Sequence, residues 1–170
     1  MNLLIIGAGS FAAEVEEMAR LLSYDNIAFL DDKYNGSKET AKCNPVIGNI
    51  SALSSFKGRY QNAIVAMGNN ENRMKFTKEL LKFGYNIPIL VHPTAFVSPD
   101  AELEAGCMVR THAVISRYVH LGKACIVNVG ALIDHDCVIG DGSHILMGAV
   151  VRNEVTVKPM TWINSNEVIE

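Results

Sequence analysis

From Val91 to Ile169 an aliphatic residue returns at every sixth position: Val91, Val97, Leu103, Val109, Ile115, Leu121, Val127, Ile133, Ile139, Ile145, Val151, Val157, Ile163 and Ile169. An α-helix turns by about 100° per residue, so steps of six never return to one face. An ordinary sheet holds this phase only if every turn has the same length. A repeating coil with six-residue faces is the economical solution. Four positions after the aliphatic residue stands a compact one: Ala101, Cys107, Ala113, Val119, Cys125, Ala131, Cys137, Ser143, Ala149, Val155 and Thr161. The expected shape is a triangular prism with short strands as its faces, the aliphatic residue stacked on the axis and the compact one packed near a corner. Three six-residue steps then make one coil.

Residues 1–90 follow another rule. The runs Leu3 to Ile6, Ile27 to Leu30, Ala63 to Ala66 and Ile87 to Val91 read as buried strands, with helical stretches between them. Phe11 to Leu22 sets Val15, Met18, Ala19 and Leu22 on one helical face, and Glu71 to Phe83 does so with Met74, Thr77, Leu80 and Leu81. Asn69 or Asn70 suits the N-cap of the second helix. Lys33 to Gly48 reads as loop. Four strands and two or three helices make about half of a dinucleotide-binding fold, so the expected architecture is an α/β half-Rossmann parallel-sheet subdomain over 1–90, then a parallel β-helix over 91–170.

Composition narrows the partners. Fifteen basic and eighteen acidic residues leave a net charge of −3, which provides no cationic field for nucleic acid. The opening MNLLIIGAGS has no basic leader, and no apolar run approaches the ~18 residues that cross a bilayer, so the expectation is a cytoplasmic protein with no membrane insertion. The four cysteines lack CxxC spacing, and Cys107, Cys125 and Cys137 fall on the compact interior position. They read as core residues, with no metal site. Cys43 lies in the expected loop and carries no signal. Only seven residues between Leu103 and Val151 are formally charged, which favours packing of one prism against another.

Outward residues are the ones available for chemistry. His135 stands two positions after the axial Ile133, so it projects from the prism, between Asp134 and Asp136. A carboxylate beside an imidazole fixes its tautomer and favours a general base. The triplet alone also fits a solvated turn. In the first half, Gly7-Ala8-Gly9-Ser10-Phe11-Ala12 follows a strand and opens a helix, where backbone N–H groups can receive phosphate oxygens. Asp31 and Asp32, at the end of the second strand, suit a ribose or base contact. An ordinary strand-to-loop turn is the alternative reading of this region.

The six-residue repeats together with NVGALIDHDCVIGDGSHI, and GAGSFAAEV, AFLDD and VAMGNNENR in that order before them, resemble the NeuD/PglD family of sialic acid O-acetyltransferases and amino-sugar N-acetyltransferases. The resemblance covers almost the whole chain. It implies a left-handed β-helix, a homotrimer with its site between subunits, acetyl-CoA as co-substrate and a nucleotide-linked sugar as acceptor. Carried over, the proton acceptor falls on His135 and its supporting carboxylate on Asp136, with Asp134 the competing orienter. His144 and Ser165 fall on the acyl-donor side. Asn128 is set against the acceptor sugar, or is a turn asparagine. Gly9, Ser10, Phe11, Asp31, Asp32 and Gly68 fall on the nucleotide. His92, His112 and His120 match no motif and read as structural. The amino-sugar branch carries Gly-His-Gly where Ser10-Phe11-Ala12 stands, which leaves the acceptor sugar open. A nucleotide-sugar-binding scaffold and an NAD-dependent oxidoreductase are the rival readings.

Overall fold

In a computed structural model the described residues are 1–33, 40–41 and 44–170. Cys43 lies outside them. The chain forms two compact units, Met1–Pro88 and Ile89–Glu170.

The first unit is a five-stranded sheet of β1 (Asn2–Ile6), β2 (Asn26–Leu30), β3 (Thr40–Ala41), β4 (Asn44–Gly48) and β5 (Asn62–Val65), in the order β3-β4-β2-β1-β5. β1 is an interior strand, flanked by and parallel to β2 and β5. Its residues Leu3, Leu4, Ile5 and Ile6 have no solvent exposure, as expected for a strand covered on both faces. Helix α1 (Ser10–Leu21) buries Ala12, Val15, Met18 and Ala19, and α2 (Asn70–Lys82) buries Met74, Thr77 and Leu80. Asn69 is the α2 N-cap, its side chain accepting from the Asn72 N–H at 2.9 Å. Leu81, expected on the buried face, is exposed.

Two expected elements differ. Asn44–Gly48, read as loop, is a strand parallel to β2 that pairs Phe29 with Val46 and Leu30 with Gly48. Its apolar run is only Val46-Ile47, closed off by Pro45 and Gly48, too short to register as a strand. The segment from Ile87 to Val91 does not join this sheet. Asn86 makes an isolated bridge to Asn62, Pro88 has no N–H to donate, and Leu90–Val91 pairs instead with Met108–Val109 as the first rung of the second unit.

That second unit is fourteen two-residue strands, β6 (Leu90–Val91) to β19 (Val168–Ile169), in three parallel sheets. Every pairing joins residues eighteen apart, such as Val109 with Val127 and Val127 with Ile145. Each coil therefore lies one strand spacing, about 4.8 Å, above the last. The axial residues from Val109 to Val151 have no exposure and form one continuous core with the compact corner residues. At each corner the third residue after the axial one turns with φ between about +54° and +80°, from Gly106 through Gly130, Asp136, Gly142 and Gly148 to Asn166. Glycine, Asn and Asp tolerate that conformation best.

The interior thiols belong to this frame. Cys107 Sγ donates to the Gly122 carbonyl at 3.0 Å and Cys137 Sγ to the Arg152 carbonyl at 3.0 Å, while Ser143 Oγ reaches the Gly140 carbonyl at 2.8 Å. The neighbouring Cys125 thiol, then burial, push the Cys107 thiol far up, and burial raises Cys137. Both stay protonated and poorly nucleophilic. Among the described residues no cluster of three metal-ligating side chains exists. Ile115→Ala empties the axis at a site with no slack and should cost about 2–5 kcal/mol in urea unfolding, whereas Ala124→Gly, at a corner with positive φ, should cost nothing or stabilise.

Candidate active site

His135 occupies the corner that follows the strand Leu132–Ile133, and its ring is over one-third exposed. Its Nδ1 lies 2.7 Å from Asp136 Oδ2. Asp136 sits at the positive-φ position of the corner, φ +59°, where Asp is accommodated more readily than a β-branched residue. Asp134 does different work: its Oδ1 accepts the backbone N–H of His135 at 2.8 Å. The rungs above and below complete the support, with the His135 carbonyl accepting from Glu154 N–H at 3.0 Å and Asp136 N–H donating to the Arg117 carbonyl at 3.2 Å. Among the described residues the ring makes no second hydrogen bond, so Asp136 alone orients it. Beside this corner, Val114, Ser116, Leu132, Asp134 and Val150 line an open, mainly apolar groove of about 270 Å³.

His144 stands on a different face, in the strand His144–Ile145, and is buried. Asn128 is also buried, with its Nδ2 3.2 Å from His144 Nε2. Asn128 Oδ1 accepts from Arg110 Nη1 at 2.7 Å and from Val129 N–H at 2.8 Å. The Trp162 ring meets His144 edge-on, centroids 4.7 Å apart at 67°. Asn128 thus serves its neighbours, and its own carbonyl accepts from Ala131 N–H across the corner at 3.1 Å. Sequence reasoning missed Arg110 and Trp162, although the signal was present: Arg110 and Asn128, like His144 and Trp162, stand one eighteen-residue coil apart. Ser165 is exposed on the corner beyond Trp162, where Glu167 Oε2 accepts from Asn164 N–H at 2.7 Å. His120 lies 3.2 Å from Glu104, and Lys123, 2.6 Å from the same carboxylate, holds it below the usual carboxylate range. His92 Nδ1 contacts the Thr94 hydroxyl at 2.9 Å.

In the first unit Gly9 is the N-cap of α1, with no side chain capping it and no acidic residue in the first turn. Ser10 and Phe11 open the helix. Gly7 turns at φ +98°, and an added Cβ there would press on the Ala66 carbonyl at 3.1 Å. Asp31 holds this turn from the side, Oδ2 accepting from Ala8 N–H at 2.8 Å and Oδ1 from Lys33 N–H at 2.9 Å. Asp32 Oδ1 accepts from Ile50 N–H at 3.2 Å, where a 3-10 helix begins. Both aspartates therefore shape the β2 exit through backbone N–H groups. Gly68 follows β5, and the fully buried Arg73 donates to its carbonyl at 2.9 Å, to that of Met67 at 2.9 Å and to Asn70 Oδ1 at 2.8 Å.

The same architecture recurs in solved enzymes. The acetyltransferase domain of PglB from Neisseria gonorrhoeae is 33% identical, with 99% of this chain and 91% of that one covered at a TM-score of 0.88. Its complex with acetyl coenzyme A gives 32% identity, 99% and 92% coverage and 0.85. A mutant of perosamine N-acetyltransferase from Caulobacter crescentus, in complex with CoA and GDP-perosamine, is 25% identical over 100% of this chain and 89% of that one, at 0.86. The class is thereby set: an α/β unit followed by a left-handed β-helix of hexapeptide repeats, the fold of acetyl-CoA-dependent sugar acetyltransferases. Residues 2–80 match the PglD N-terminal domain, and the chain belongs to the PglD/NeuD family of sugar acetyltransferases.

The hydrogen bonds of Asp31 imply a stabilising role separable from any ligand. Asp31→Ala should lower stability by about 1–3 kcal/mol in urea unfolding without nucleotide, the cost of a lost charge-assisted bond.

Proposed function

We propose that this chain transfers acetyl from acetyl-CoA to an amine or hydroxyl of a nucleotide-activated sugar in bacterial surface-glycan synthesis, with His135 as the general base. The 2.7 Å contact between His135 Nδ1 and Asp136 carries the reading. A carboxylate can only accept, so the ring proton resides on Nδ1 and the lone pair on Nε2. His135 Nε2 removes the proton from the sugar nitrogen or oxygen as that atom attacks the thioester carbonyl. The electron pair moves to the carbonyl oxygen, then returns as the carbon–sulfur bond breaks, and His135 hands its proton to the leaving thiolate. Asp136 holds the ring through both transfers.

Donor and acceptor fall on different residues. His144 and Ser165 contact acetyl-CoA in this reading. Gly9, Ser10 and Phe11 receive the nucleotide phosphates at the α1 N-terminus, with Gly68 alongside and Asp31 and Asp32 at the β2 exit. A homotrimer is supported by one prism face on which Phe96, Leu132 and Val168 are about half exposed, a continuous apolar ladder that further copies would cover. No described helix is long and apolar enough to cross a membrane, and acetyl-CoA is a cytoplasmic metabolite, so we place the reaction in the cytoplasm.

Transfer to a panel of UDP-, GDP- and CMP-linked amino and neutral sugars, read by mass spectrometry, tests the substrate class. His135→Ala should lower kcat by about 10²–10⁴-fold, the usual contribution of a general base, and leave the melting temperature unchanged. Undiminished turnover in that variant would refute the assignment. Leu132→Glu should dissociate the assembly in light scattering.

A further inference from the structure

His135 and His144 carry the same ring, yet their surroundings give them opposite chemistry. The amide of Asn128 decides the difference. Its Oδ1 faces two groups that can only donate, the Arg110 guanidinium at 2.7 Å and the backbone N–H of Val129 at 2.8 Å. That atom is therefore the oxygen, and the amide cannot be flipped without setting its NH₂ against both donors. The atom 3.2 Å from His144 Nε2 is then the NH₂, so Nε2 has to accept. A ring protonated on both nitrogens would place N–H against N–H at this contact. His144 is thus neutral, with its proton on Nδ1 and its Nε2 lone pair occupied by Asn128. The Trp162 edge sets the plane of the ring.

We propose that Arg110, acting through Asn128, locks His144 in the neutral tautomer with its proton on Nδ1, so that this ring cannot take a proton and His135 alone serves as base. That His135 is the base rests on the function proposed above; the tautomer of His144 does not. Both rings hold their proton on Nδ1. His135 Nε2 is open to an acceptor, whereas His144 Nε2 is closed by an amide that is itself held from two sides. Arg110 is a positioning residue in this scheme, one coil below Asn128 and acting only through it.

The tautomer is read directly. In ¹⁵N-histidine-labelled protein, with the His144 signals assigned by their loss in His144→Gln, wild type should show a pyrrole-type Nδ1 and a pyridine-type Nε2. A pyrrole-type Nε2 in the wild type would overturn the proposal even if no variant folds. Asn128→Asp replaces the donating NH₂ by an accepting oxygen and should move the His144 proton to Nε2, with the His135 signals unchanged. An unmoved tautomer in that variant also overturns it. Arg110→Met should yield a mixture of His144 tautomers and Arg110→Lys should restore the wild-type pattern; identical spectra for wild type and Arg110→Met would remove Arg110 from the scheme. Full turnover in His135→Ala would sink the proposed base and leave the His144 spectra standing as they are.

Discussion

The stack of aliphatic side chains on the prism axis is the constraint on which the rest of the β-helix depends. Ile115, Ile133 and Val151 lie in register on one face, and their counterparts on the other two faces meet them at the axis with no exposure. Any change in the length of a step would throw every later residue onto the wrong face, as a register slip does in a sheet. The six-residue interval is therefore maintained even where the corners vary freely. Because the coil length is constant, residues eighteen apart are neighbours about 4.8 Å apart, and polar ladders become possible on the outside. Arg110 beneath Asn128 and His144 beneath Trp162 are ladders of this kind.

The corners do the remaining work. From Gly106 onward each holds a residue with positive φ, and at most of them that conformation is met by glycine or by a residue with no further role. At Asp136 the same position supplies the carboxylate that orients His135. Backbone geometry and chemistry are met by one side chain, and Asp134 on the preceding side secures the peptide between them. The imidazole is in this way fixed by its two sequence neighbours and by the rungs on either side, with no long-range loop to position it.

Much of this was legible in the sequence because the period of the aliphatic residues is a direct image of the coil. The β-helix could be drawn residue by residue, and His135 identified as outward, from position alone. In the first unit the reading was coarser. β4 was hidden because Val46-Ile47 is too short a run to signal a strand, and Ile87–Val91 was placed in the wrong sheet because an apolar run does not announce its partner. The division of labour between Asp134 and Asp136 could not be read from residues that flank the histidine symmetrically; the positive φ at 136 breaks the symmetry. The roles of Asp31 and Asp32 were obscured for a related reason, since a carboxylate at a strand exit can face a ligand or a backbone N–H with equal ease.

The corner residues also say something about how such a scaffold acquires new chemistry. Tyr118, Ala124, Glu154 and Met160 all sit at positive φ without being glycine, each at roughly 1 kcal/mol of conformational strain, and the fold carries them together. A lattice that tolerates this many imperfect bends leaves its outer vertices open to variation while its interior stays fixed. At the exposed vertices a change leaves the axial core untouched, so a prism of this type can be refitted for another acceptor one edge at a time.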